Sequence, residues 1–109
     1  MAWTSLCEVS ELKEGNGKYV EIDGYRLAVF LHQSHPYVLD NECPHAGGDM
    51  SQGWVDDDAC AVCPWHAWSF HLKDGRLKGS TGPAGLSTYP VRVYEFQGKH
   101  LVQADLPMA

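Results

Sequence analysis

Two short segments constrain this chain more than any other feature: Cys43-Pro44-His45 and, after a gap of seventeen residues, Cys63-Pro64-Trp65-His66. Each offers one thiolate and one imidazole, so a fold that uses all four must bring two separate loops to a common point. A zinc finger usually takes two Cys from one segment and two His from the other. The mixed pairing here suits a binuclear cluster, because each loop can give its Cys to one metal and its His to the other. Four cysteines could instead form two disulfides. However, Met1-Ala2-Trp3-Thr4-Ser5 has no basic-then-apolar secretory pattern, and in a reducing compartment grouped Cys and His more often bind metal.

The rest of the chain reads as strands and tight turns. Asp23-Gly24 between Lys18 to Ile22 and Tyr25 to Leu31 predicts a hairpin, since a two-residue type I′ turn needs positive φ at both positions. Asp74-Gly75 repeats the signal between Trp68 to Leu72 and Arg76 to Leu77. Gly98 separates Tyr89 to Phe96 from His100 to Gln103 in the same way. Side chains alternate along Val91 to Phe96, and the one helical signal, Ser10-Glu11-Leu12-Lys13, amounts to a single capped turn. An all-β chain of antiparallel sheets is expected. The stretch from about Glu42 to Gly85 differs in kind: it holds seven of the eleven glycines and every candidate ligand, which marks functional loops rather than ordinary connections.

At 109 residues the chain is one small domain, 1–109, with no room for a second catalytic core. Eight basic against fourteen acidic residues leave a formal charge of −6, which disfavours nucleic acid. The longest apolar run, Leu27 to Leu31, is far short of the roughly 20 residues of a membrane-spanning helix. A cytoplasmic protein without membrane contact is expected.

Cys-x-His with Cys-x-x-His at this separation resembles the Rieske 2Fe-2S motif, in which two His replace two Cys on one iron. The flanks agree: Gly47 and Gly48 allow a tight loop, Pro44 and Pro64 stiffen both segments, and Gly82-Pro83-Ala84-Gly85 is similar to the third loop that covers the cluster in this family. The resemblance implies a Rieske fold: an antiparallel β-sandwich base formed by both terminal segments, carrying a small cluster-binding β subdomain at about 42–85. It also implies one 2Fe-2S cluster, with Cys43 and Cys63 on the buried iron and His45 and His66 on the outer iron that exchanges the electron.

Departures from the family's high-potential members narrow the expectation. Rieske proteins of the cytochrome complexes carry two further Cys in a disulfide, where this chain has Gly48 and Trp65. They also carry Ser and Tyr hydroxyls near the cluster, where it has Trp68 and Phe70. Without those donors the potential should lie toward the low end of the Rieske span, on the order of −150 mV. The chain thus resembles the Rieske-type ferredoxins of ring-hydroxylating oxygenases, and also the small subunit of nitrite reductase. As a ferredoxin it would be no enzyme itself but a monomeric one-electron carrier between a flavoprotein NAD(P)H reductase and a terminal oxygenase. Docking would use His45, His66, Trp65 and Pro83, with Trp68 and the Gly47-Gly48 turn supporting the cluster. One alternative is a subunit bound permanently to a nitrite reductase large subunit, and another is a zinc-stabilised interaction module without redox activity. Cys7 and Cys60 read as buried small hydrophobes. Asp56-Asp57-Asp58 reads as a solvated turn, or else as an acidic docking patch.

Overall fold

The computed structural model describes residues 3–44, 47–65, 67–79 and 85–107. Among the described residues ten strands run in chain order: β1 Trp3–Glu8, β2 Gly17–Ile22, β3 Tyr25–His32, β4 His35–Asp40, β5 Trp54–Val55, β6 Cys60–Val62, β7 Ser69–His71, β8 Thr88–Tyr89, β9 Val91–Phe96 and β10 Lys99–Asp105. Among the described residues the only helical pieces are two single 3-10 turns, Val9–Glu11 and Met50–Gln52. The strands form three antiparallel sheets, ordered β1-β10-β9, β2-β3-β4-β8 and β5-β6-β7.

Strand β3 explains why the longest apolar run belongs where it does. Successive side chains of a strand point to opposite faces, and a strand covered on both sides reads as continuous apolar sequence. Leu27 and Val29 enter one core, with Val38, Val102, Ala104 and Leu106. Ala28 and Phe30 enter the other, with Leu39, Cys43, Met50, Ala61, Cys63 and Phe70. The middle sheet is therefore the wall between two cores. The sheet made from both terminal segments covers one face, and the segment with the candidate ligands covers the other.

The hairpins expected at Asp23-Gly24 and Gly98 form, pairing Ile22 with Tyr25 and Phe96 with Lys99. A third, β3–β4, turns at Gln33-Ser34, two residues with positive φ of 52° and 65°. Their backbone N–H groups donate to the Glu14 carboxylate at 2.6 and 3.2 Å, which holds the turn in place of the usual Asn-Gly chemistry. The two-residue hairpin expected at Asp74-Gly75 is corrected. Strand β7 stops at His71, and Phe70 meets Leu77 by an isolated bridge across a longer turn. The Gly75 carbonyl accepts the N–H groups of Gly85 and Leu86 (3.1 and 3.0 Å), and these tertiary bonds outweigh the local turn preference.

Candidate metal centre

Cys43 and Cys63 close two loops of the same design. In the first, the Cys43 N–H donates to the Gly48 carbonyl (2.9 Å), and the Gly47 N–H returns to the Cys43 carbonyl (2.8 Å). In the second, the Cys63 N–H donates to the Trp68 carbonyl at 2.7 Å. Each loop thus spans from its Cys to the fifth residue on. Each also turns back through a left-handed residue at the fourth, Gly47 with φ +68° and Ala67 with φ +55°. Glycine enters that region freely. Ala67 does so at a cost of about 1–2 kcal/mol, and nothing in the sequence near Trp65 announces the turn.

The two loops bring their sulfurs together. Both cysteines are buried in the core that also holds Phe30, Leu39, Met50 and Phe70. The Cys43 thiol lies within hydrogen-bond reach of Cys63, while the Trp65 N–H donates to the Cys63 sulfur. Burial, and then the neighbouring Cys43, push the Cys63 thiol above the ordinary cysteine range. The backbone leaves room for nothing larger than glycine at the mouth of the pair, since a Cβ on Gly48 would stand 2.8 Å from Cys63 Sγ and 3.1 Å from Trp65 Cγ. Paired buried sulfurs, a backbone N–H aimed at one of them and a cradle free of Cβ suit a thiolate-ligated iron–sulfur cluster. His45, His66 and Pro83, the remaining expected site residues at the loops, lie outside the described residues.

A support missed in the sequence lies beneath the first loop. Asn41, nearly buried, accepts the Ser51 N–H at Oδ1 (2.9 Å) and the Met50 N–H at its carbonyl (2.8 Å), while Glu42 bridges to Asp49. Its own N–H donates to the Arg26 carbonyl at 2.9 Å, so β3 fixes the base of the loop. Trp68 packs half-buried against the core, whereas Trp65 is 54% exposed beside the loop mouth. Phe70 is fully buried.

The remaining cysteines and the acidic run have structural partners. Cys7 is buried and its thiol pushed up to about 11, first by desolvation and then by Glu11. Cys60 is buried with Sγ 3.3 Å from His71 Nδ1, its cross-strand neighbour. The Asp56 carboxylate accepts the N–H groups of Asp58 and Cys60 (2.9 and 3.0 Å), and Lys78 bridges Asp56 and Asp58 at 3.2 and 2.7 Å. Partial burial opposes ionisation of Asp56, but those N–H donors and the Lys78 ammonium outweigh it and hold the carboxyl below its ordinary range. The acidic run is accordingly a closed turn tied to Lys78, as its solvated-turn reading expects.

The chain matches the family model described as the Rieske [2Fe-2S] domain over residues 2–90. The chain belongs to the Rieske [2Fe-2S] family. Its cofactor is one Rieske-type 2Fe-2S cluster, which the paired sulfurs of Cys43 and Cys63 fit. A similar curated protein is the 3-phenylpropionate/cinnamic acid dioxygenase ferredoxin subunit of Shigella flexneri, 36% identical over 87 residues, which are 80% of this chain and 81% of that one. The solved structure of a protein assigned as the NADH-dependent nitrite reductase small subunit of Mycobacterium tuberculosis superposes with a TM-score of 0.82. Its identity is 26%, over 98% of this chain and 97% of that one. The ferredoxin in a complex of reduced oxygenase and oxidized ferredoxin of carbazole 1,9a-dioxygenase superposes with a TM-score of 0.75. There the identity is 26%, over 96% and 97%. No helix among the described residues is long and apolar enough to cross a membrane.

Proposed function

We propose that this Rieske protein is the ferredoxin of an oxygenase system, a carrier that accepts one electron from a flavoprotein NAD(P)H reductase and delivers it to a terminal oxygenase. The observation that carries this reading is the repeated loop that sets Cys43 and Cys63 side by side under an exposed Trp65. The proposed ligands are Cys43 and Cys63 on the inner iron, with His45 and His66 on the outer one. The cluster, when bound, takes up and gives back a single electron. The protein's own residues do the rest. The core around Phe30, Leu39 and Phe70 keeps water from the sulfur side, and the Trp65 N–H stabilises negative charge on Cys63. Gly47 and Gly48 let the backbone close over the pair, Trp65 offers an apolar contact to a partner, Pro83 is proposed as a further docking residue, and Trp68 supports the core beneath. Residues 42–85 act as a cluster-binding subdomain on the base within the single domain 1–109. The carbazole dioxygenase complex, in which a ferredoxin of this fold meets its oxygenase, supports the partner class. The unpaired thiols of Cys7 and Cys60 suit the reducing cytoplasm.

Spectroelectrochemical titration of the purified protein tests the reading. A red-brown protein that bleaches reversibly with a midpoint on the order of −150 mV supports it. A colourless, zinc-bearing protein overturns it, because zinc is d¹⁰ and has no visible bands. The superposition on a nitrite reductase small subunit favours a second setting, permanent association with a large reductase. Gel filtration separates the two. A chain that stays soluble and redox-active alone is a carrier, and one that aggregates without its partner is a subunit.

A further inference from the structure

We infer that Asp49, pinned by Ser51 at the foot of the first loop, helps to set the reduction potential: its carboxylate opposes the incoming electron and makes the reduced protein a stronger donor. The inference rests on the electron-transfer reading above and adds to it a residue that acts on the cluster through charge. Asp49 directly follows Gly48, and a Cβ on Gly48 would stand 2.8 Å from Cys63 Sγ. A carbon–carbon bond spans about 1.5 Å and consecutive Cα atoms stand about 3.8 Å apart, so the Asp49 Cα lies within about 8 Å of that sulfur. The carboxylate is held in place. Its Oδ1 accepts the Ser51 hydroxyl at 2.5 Å and the Ser51 N–H at 3.2 Å. Ser51 is itself buried, and its N–H is shared with Asn41 Oδ1 at 2.9 Å. The antiparallel bridge between Glu42 and Asp49 ties the same residue to the base of the loop.

Among the described residues no cationic side chain pairs with Asp49, although Arg26 lines the same groove. Glu42, whose Oε1 would lie 3.7 Å from a Cβ on Gly47, adds a second acid at this loop. The Cys63 sulfur feels opposing influences. Burial, and then Cys43 and Asp49, disfavour negative charge there, whereas the Trp65 N–H stabilises it. Reduction adds one negative charge to the cluster that Cys63 would hold, so the field of Asp49 favours the oxidised form. The separation is comparable with the screening length of about 8 Å at physiological ionic strength, so salt damps this field without abolishing it. Asp49 is exposed, and water keeps the effect modest. Trp68 and Phe70 lower the potential by lacking hydroxyls; Asp49 lowers it by carrying a charge.

Redox titration of the holoprotein, wild type beside Asp49→Asn, tests this. Asparagine keeps the shape and an acceptor for Ser51 and removes the charge. At a fixed potential the reduced-to-oxidised ratio should rise about threefold, which is a midpoint about 30 mV higher at about 59 mV per tenfold. In about 1 M salt, where the screening length falls to about 3 Å, the difference between the two proteins should shrink. Iron, sulfide and the visible spectrum should match the wild type. Glu95→Gln, the same loss of charge on β9 in the sheet remote from Cys43 and Cys63, should leave the midpoint in place. If Asp49→Asn fails to load a cluster, Asp49→Ser serves, since serine also caps the 3-10 turn that Asp49 begins. A loaded variant whose midpoint is unchanged or lower, a shift that Glu95→Gln reproduces, or one that high salt leaves whole overturns the inference and spares the carrier reading. A protein with no visible cluster overturns both.

Discussion

Replacing Gly48 by alanine isolates the geometry on which the metal centre depends. The added Cβ would stand 2.8 Å from Cys63 Sγ, 3.1 Å from Trp65 Cγ and 3.3 Å from Trp65 Cβ. Comfortable heavy-atom separations are about 3.5–4.0 Å, so the sulfur must retreat by roughly 1 Å. Metal–ligand distances tolerate about 0.2 Å, and Cys63 has little freedom because its N–H is held by Trp68 and its side chain sits in the core. Overpacking of this kind costs about 1–3 kcal/mol, equivalent to roughly a ten- to hundredfold loss in cluster retention. The assay is iron and acid-labile sulfide per chain after anaerobic reconstitution, together with visible absorbance. Gly98→Ala is the control: Gly98 has φ +78° but nothing within 4 Å of an added Cβ. It should therefore lose about 1 kcal/mol of stability while loading fully. Gly48→Ala loading like the wild type, with an unshifted spectrum, would refute the placement of Cys63 beside Gly48 as a constraint on the cluster.

Trp65→Glu should leave the visible spectrum intact and slow electron delivery to the oxygenase by tenfold or more in stopped-flow mixing, whereas loss of the spectrum would make Trp65 structural. Gly75→Ala, whose Cβ would meet the Leu86 carbonyl at 1.7 Å on a φ of +76°, should cost about 3 kcal/mol or more and lower Tm sharply in calorimetry. Asp56 and Glu14 have carboxyls held below their ordinary values. Their stability is thus present above about pH 4 and drains away as pH falls through the depressed folded values. Tm measured from pH 6 to 3 should fall in the wild type, and Asp56→Asn should begin lower and fall less steeply; equal slopes would contradict the Asp56 contribution.

Two hairpins are legible in the sequence because their turn residues themselves supply positive φ, at Asp23-Gly24 and before Lys99. The β3–β4 turn is hidden, because Gln33-Ser34 adopts that conformation only with a carboxylate supplied by Glu14, nineteen residues from Gln33. The misplaced hairpin at Asp74-Gly75 fails for the same reason in reverse: partners at Gly85 and Leu86 claim a glycine that looks local. In the candidate site, spacing alone suggests that Cys43 and Cys63 meet. The repeated loop is not visible in the residues, because one copy turns on Gly47 and the other on Ala67. Asn41 leaves no signal either, since its role lies in three backbone partners from β3 and the 3-10 turn that follows the first loop.

In the proposed centre one cluster takes two sulfurs from Cys43 and Cys63 and two imidazoles from His45 and His66. Electron spin-echo envelope modulation of the dithionite-reduced protein, grown with ¹⁵N-histidine, reads the imidazoles directly. Two strongly coupled ligand nitrogens that change with the isotope are expected, and one of them should be lost if His45→Cys or His66→Cys still assembles a cluster. A reduced cluster without histidine nitrogen coupling, or no paramagnetic cluster at all, would contradict it.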